Sequence, residues 1–141
     1  MKDKITAQLR RDEGEVLSAY EDHLGYWTIG VGRLIDKRKG GGISAEESAY
    51  LLNNDIDARI KKLGEVLPWF GGLDDARKGV LINMAFQMGV DGLLGFKNTL
   101  AEIQAGNYAK AAEMMLLSKW ATQTPERAKR LAKQMQTGEW Q

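Results

Sequence analysis

A chain of 141 residues with 43% hydrophobic content suits one domain, or one with a small lobe, able to bury roughly two thirds of its unfolded surface. The lack of cysteine and the single histidine exclude a disulfide framework and the usual zinc ligand sets; no metal and no other cofactor is expected. Twenty basic against 19 acidic residues leave a net charge of +1, which argues against a dedicated nucleic-acid binder.

The N-terminal segment has no apolar core of the kind a signal peptide needs, and no later window approaches the length of a membrane span. A soluble chain made in the cytoplasm, without stable membrane insertion, is therefore expected. Its first element is a short amphipathic helix over about residues 3–13, with Ile5 and Leu9 on one face and Gly14 as a left-handed stop. That places Glu13 at the negative end of a helix dipole, which disfavours the charged carboxylate and helps it to keep a proton.

Beyond Gly14 come two β-type pieces, Leu17–Tyr20 and Tyr26–Val31, joined as a hairpin by Glu21-Asp22-His23-Leu24-Gly25. Asp22 falls at the turn and Thr28 on the return strand, so the two can approach each other across the ladder while Glu13 looks in from the helix end. A protonated carboxyl, a second carboxylate and a hydroxyl around one small volume are what glycoside hydrolysis with inversion needs. His23 reads as an exposed turn residue without a role.

Asp36–Gly42, with four charged residues and three glycines, is a solvated loop. A helix over about residues 44–64 is announced by Ile43 as hydrophobic staple and by Ser44 and Glu47 as a capping box. Ala49, Leu52, Ile56, Ile60 and Leu63 form its apolar stripe, and it reads as a connecting rod between lobes. Asp74 caps a segment whose Ala76, Val80, Leu81, Met84, Ala85 and Met88 suit the central helix of a bundle. Shorter helices follow over Phe96–Ala105 and Tyr108–Leu117, with Leu100, Ile103, Ala111, Ala112 and Met115 facing inward. Thr124-Pro125 is an N-cap and first helical position, and Gly138 ends the last helix. From Lys110 onward, Lys110, Lys119, Arg127, Lys129, Arg130 and Lys133 outnumber Glu113, Glu126 and Glu139, a modest basic face suited to an acidic polymer.

Eight residues separate Glu13 from Asp22 and five more separate Asp22 from Thr28, in the setting Asp-Glu-Gly, Tyr-Glu-Asp and Tyr-Trp-Thr-Ile-Gly-Val-Gly. Later come Asn83-Met84-Ala85-Phe86-Gln87-Met88-Gly89, Gly95-Phe96-Lys97-Asn98, Trp120, Gln123-Thr124-Pro125-Glu126-Arg127-Ala128-Lys129-Arg130 and Thr137-Gly138-Glu139-Trp140. In order and spacing this set resembles the phage-type muramidases, the T-even bacteriophage lysozymes and their endolysin relatives, over nearly the whole chain.

The resemblance implies a two-lobed α+β fold in one lysozyme domain: a small lobe over about residues 14–43, the connecting helix, and a helical lobe over about residues 65–141 together with the first helix. It implies hydrolysis of the β-1,4 bond between N-acetylmuramic acid and N-acetylglucosamine. By position Glu13 is the general acid, Asp22 the carboxylate that positions or activates water, and Thr28 its partner. Leu34, Phe86, Gln87 and Thr99 fall where the family lines its sugar cleft, although Met84, Phe86 and Met88 at helical spacing also read as core. Arg127 matches the arginine that orients the catalytic Glu, where its charge opposes the raised pKa wanted of an acid.

The chain departs from the family in a shorter Asp36–Gly42 segment, in Arg33 where many relatives have histidine, and in Met114 at a polar cleft position. The expected setting is a monomer acting on peptidoglycan glycan strands, made in the host bacterial cytoplasm and dependent on a holin to reach the wall. The alternatives are a lytic transglycosylase, disfavoured by Asp22 and Thr28, and an inactive wall-binding module, disfavoured by all three polar residues.

Overall fold

The computed structural model describes residues 2–35 and 42–141, so the Asp36–Gly42 loop, apart from Gly42, lies outside the described residues. The chain divides into two compact units, Met1–Leu52 and Asn53–Gln141.

In the first unit, helix α1 (Lys2–Glu13) ends as its glycine predicts: Gly14 takes φ +75° and its N–H returns to the Arg10 carbonyl at 3.0 Å. Strands β1 (Val16–Glu21), β2 (Trp27–Gly30) and β3 (Arg33–Leu34) form an antiparallel sheet in the order β1-β2-β3. Tyr20 lies opposite Thr28, and Thr28 opposite Leu34. The sequence reading found only the hairpin, because a two-residue strand is too short to show alternation.

Arg33 spans from β3 to the next helix. Its two terminal nitrogens donate to the Glu47 carboxylate at 2.8 and 3.0 Å, and its Nε donates to the Gly42 carbonyl at 2.6 Å. The capping box forms as read: the Ser44 N–H donates to Glu47 Oε1 at 2.9 Å and the Glu47 N–H to Ser44 Oγ at 3.1 Å. Helix α2 runs over Ala45–Val66. One expectation about it needs correction. Ile43 stays about half exposed, since the position it would staple is Ser48 and offers no apolar partner. Of the five stripe residues only Leu63 is buried, because helical spacing tells which side chains share a face and not how much of that face is covered.

The second unit holds the core. A 3-10 turn (Phe70–Gly72) leads into α3 (Asp75–Leu94), whose cap is Asp74 accepting from the Arg77 N–H at 3.0 Å. Ala76, Val80, Leu81, Met84 and Ala85 are buried along α3, which kinks at Gly89, where φ is +78°. Helices α4 (Lys97–Gln104), α5 (Tyr108–Leu116), α6 (Lys119–Gln123) and α7 (Pro125–Thr137) complete the unit. Leu100, Ile103, Ala111, Ala112 and Met115 are buried as expected, in one cluster with Leu63, Phe70, Leu131 and Met135.

The five-residue α6 was missed, and it changes the reading of Thr124. That hydroxyl turns back to the Trp120 carbonyl at 3.1 Å and makes no cap to α7, although Pro125 does occupy the first turn. Gly138 ends α7 at φ +74°, and Arg77 satisfies the helix end: its Nε donates to Met135 O at 2.7 Å and its Nη2 to Gln136 O at 3.0 Å. The same guanidinium stacks 3.7 Å from the centre of the Tyr108 ring. Trp120 is a buried anchor, whereas Trp140 is 67% exposed, with its ring edge over Gly79.

The architecture is α+β, a small antiparallel sheet followed by a mainly helical region. No single helix among the described residues is long and apolar enough to cross a membrane. The α3–α4 pair reaches that apolarity only jointly, bent by 100°, with its apolar residues in the core.

Candidate active site

In the first unit two of the polar residues picked from the sequence, Asp22 and Thr28, gather around one peptide. The N–H of Tyr26 donates to Asp22 Oδ1 at 2.8 Å, while its carbonyl accepts from the Asp22 N–H at 2.8 Å and from the Thr28 hydroxyl at 3.0 Å. Leu24 N–H adds a second bond to Asp22 Oδ1 at 2.9 Å. Asp22 is thus the carboxylate of an Asx turn, its orientation fixed by two main-chain donors. Thr28 is 2% exposed, and its hydroxyl has spent its hydrogen on Tyr26, which leaves its oxygen as an acceptor. Spacing suggested that Asp22 and Thr28 meet across the ladder; they are coupled through the main chain of Tyr26.

Glu13, exposed at the end of α1, reaches the β2–β3 turn. Its Oε2 lies 2.8 Å from where a Cβ on Gly32 would stand. Within this unit, among the described residues, the Glu13 carboxylate has no hydrogen bond or ion pair. Leu34 pairs with Thr28 on the neighbouring strand and is half-buried. His23 is exposed in the turn.

In the second unit Phe86 and Gln87 are consecutive on α3. The Arg59 guanidinium lies 4.4 Å from the Phe86 ring centre, and the Trp120 indole N–H donates to Gln87 Oε1 at 2.8 Å, leaving the Gln87 amide NH2 as a fixed donor. Thr99 and Met114 line one open depression of about 460 Å³ together with Phe96, Asn98 and Leu117. Thr99 is only 5% exposed, so little of it faces that space. Arg127 projects from α7 to Asn83: its Nε and Nη2 donate to Asn83 Oδ1 at 2.9 and 2.6 Å, and Nη2 also reaches the Asn83 carbonyl at 3.3 Å. On the exposed side of α7 stand Lys129, Arg130 and Lys133, the basic face expected from composition.

Tyr26, Gly32, Asn83 and Trp120 carry no site role in the sequence reading, Trp120 being read there as a packing anchor. Only Gly32 carried a local signal, a glycine beside a short strand that often marks a close approach. Asn83–Arg127 and Gln87–Trp120 join residues 44 and 33 positions apart, which no spacing rule connects.

A three-stranded sheet that fastens a carboxylate and a threonine beside a glutamate-bearing helix end, followed by a helical core, suits a hydrolase of glycosidic bonds. The phage lysozyme family model matches residues 10–137. The chain is 34% identical over 164 aligned residues to probable T4-type lysozyme 1 of Dictyostelium discoideum, covering 98% of this chain and 96% of that protein. It is 33% identical to the endolysin of Salmonella phage P22, covering 84% and 83%. To the pre-baseplate central spike protein Gp5 of Enterobacteria phage T4 it is 35% identical, covering 95% of this chain and 28% of that protein. These likenesses define a muramidase-type glycoside hydrolase acting on peptidoglycan. The chain belongs to the phage lysozyme family.

Proposed function

We propose that the chain cleaves the β-1,4 bond between N-acetylmuramic acid and N-acetylglucosamine by a single displacement with inversion. The Tyr26-centred network carries this reading. With Thr28 spending its hydrogen on Tyr26 and Asp22 held by main-chain donors, both side chains offer acceptors to one water. That water donates its hydrogens to them and turns a lone pair toward the anomeric carbon. Glu13 gives its proton to the departing glycosidic oxygen, the water oxygen bonds to the anomeric carbon, and Asp22 takes the water's proton.

Leu34, Phe86, Gln87 and Thr99 contact the sugar chain in this reading, Gln87 through the amide NH2 that its bond to Trp120 leaves free. Arg127, its guanidinium held by Asn83, orients Glu13, so that Arg127→Ala lowers activity and leaves the fold intact. The two units act as one lysozyme domain in a monomer made in the host cytoplasm, which reaches the wall once a holin opens the membrane and lyses the cell for a phage or prophage.

Digestion of purified peptidoglycan, with products read by mass spectrometry and fresh anomers by NMR, tests the proposal alongside Glu13→Gln and Asp22→Asn. Products that gain water and appear as the α-anomer support it. Ends of 1,6-anhydro type would replace it with transglycosylation, β-anomers would remove inversion, and intact glycan would leave a binding module.

A further inference from the structure

Gly32 and Gly30 flank the same β2–β3 turn with the same left-handed backbone, φ +67° and +66°. They differ in what surrounds them. A Cβ on Gly30 would meet nothing within 4 Å, whereas one on Gly32 would stand 2.8 Å from Glu13 Oε2, 3.1 Å from its Cδ and 3.3 Å from its Cγ. The end of the Glu13 side chain therefore fills the volume that any other residue at 32 would occupy.

We infer that Gly32 is a positioning residue for Glu13: its missing side chain makes the niche that seats the carboxyl against the β2–β3 turn. This rests on the reading of Glu13 as the general acid. An exposed glutamate with no hydrogen-bond partner among the described residues of its unit would otherwise sample several rotamers. Packed against main chain, the carboxyl loses the directions that Gly32 closes, and a proton donor needs such restraint, since a displacement of 1 Å costs about 10²-fold in rate. The intruding atom in a Gly32→Ala protein would meet the far end of a flexible side chain. The carboxyl moves aside and the fold survives.

The test compares Gly32→Ala with Gly30→Ala. Both carry the same backbone strain, so their melting temperatures fall together, within about 3 °C of each other. Peptidoglycan cleavage falls about 10²-fold further in Gly32→Ala, and only there does the pH–rate profile move, because only there is the acid displaced. Equal activity losses with unmoved profiles overturn the inference. Should Gly32→Ala fail to fold, adding Glu13→Ala restores folding to the Gly30→Ala level, and a double variant that stays unfolded also overturns it. Full activity in Glu13→Gln would instead remove the acid role itself, whatever Gly32 does.

Discussion

Among the side chains described up to Leu52, a set without Ile5, the one buried is a threonine, Thr28, whereas from Asn53 onward the buried set is apolar except for Thr99 and Gln134. The first region is held by main-chain hydrogen bonds, left-handed glycines and the Arg33–Glu47 bridge; the second by a close-packed cluster running from Leu63 to Met135. Burial stabilises in proportion to apolar area, while hydrogen bonds contribute little net energy and set direction. The proposed water site and acid thus lie where direction is controlled, and stability is supplied elsewhere in the chain.

Four experiments test that contrast. Glu13→Gln should lower peptidoglycan cleavage by about 10³-fold with a melting temperature within about 2 °C of the parent, since the carboxylate has no bonded partner among the described residues of its unit; a large drop in stability would break the contrast. In the core, Met84→Ala should cost about 3 kcal/mol by urea unfolding, against under about 0.5 kcal/mol for Leu17→Ala, whose side chain is 84% exposed. Arg77→Met should cost about 1–2 kcal/mol, because it strands the Met135 and Gln136 carbonyls at the end of α7, and amide exchange there should quicken first.

The smallest effect is acid sensitivity. Burial pushes the Asp74 carboxyl up, yet the Arg77 N–H and guanidinium together hold it below its ordinary value. Glu47 is likewise lowered, chiefly by the Ser44 N–H and hydroxyl and also by Arg33. In both cases the unfolded chain binds the proton more readily. Their contribution is complete above the unfolded carboxylate range and is lost as pH falls through the folded values, from about pH 4 downward. Asp74→Asn should flatten that acid limb slightly in thermal melts across pH, and a steeper limb would contradict the assignment.

Features set within one turn of chain were legible in the sequence: the Gly14 and Gly138 stops, the Ser44–Glu47 box, the Asp74 cap, and the buried face of α3. Each is a short-range hydrogen bond or a 3.6-residue period. The order of Glu13, Asp22 and Thr28 was legible for the same reason, because helix end, turn and return strand follow one another directly. What escaped depended on three dimensions or on brevity. β3 and α6 are too short for a period to register, the Thr124 hydroxyl chose the helix behind it over the one ahead, and Tyr26 serves through its peptide, whose identity the side-chain pattern does not encode.

The bond from Trp120 to Gln87 has an optical consequence. Trp120 is 7% exposed, its indole N–H held at 2.8 Å by Gln87 and its ring met edge-on by Phe96 at 6.1 Å, whereas Trp27 and Trp140 are at least half exposed. Its emission should therefore lie to the blue of Trp27 and Trp140 and should respond to where the Gln87 amide points. Nature has placed a chromophore one hydrogen bond away from a residue proposed to hold the sugar chain, so occupancy can be followed by emission without a label.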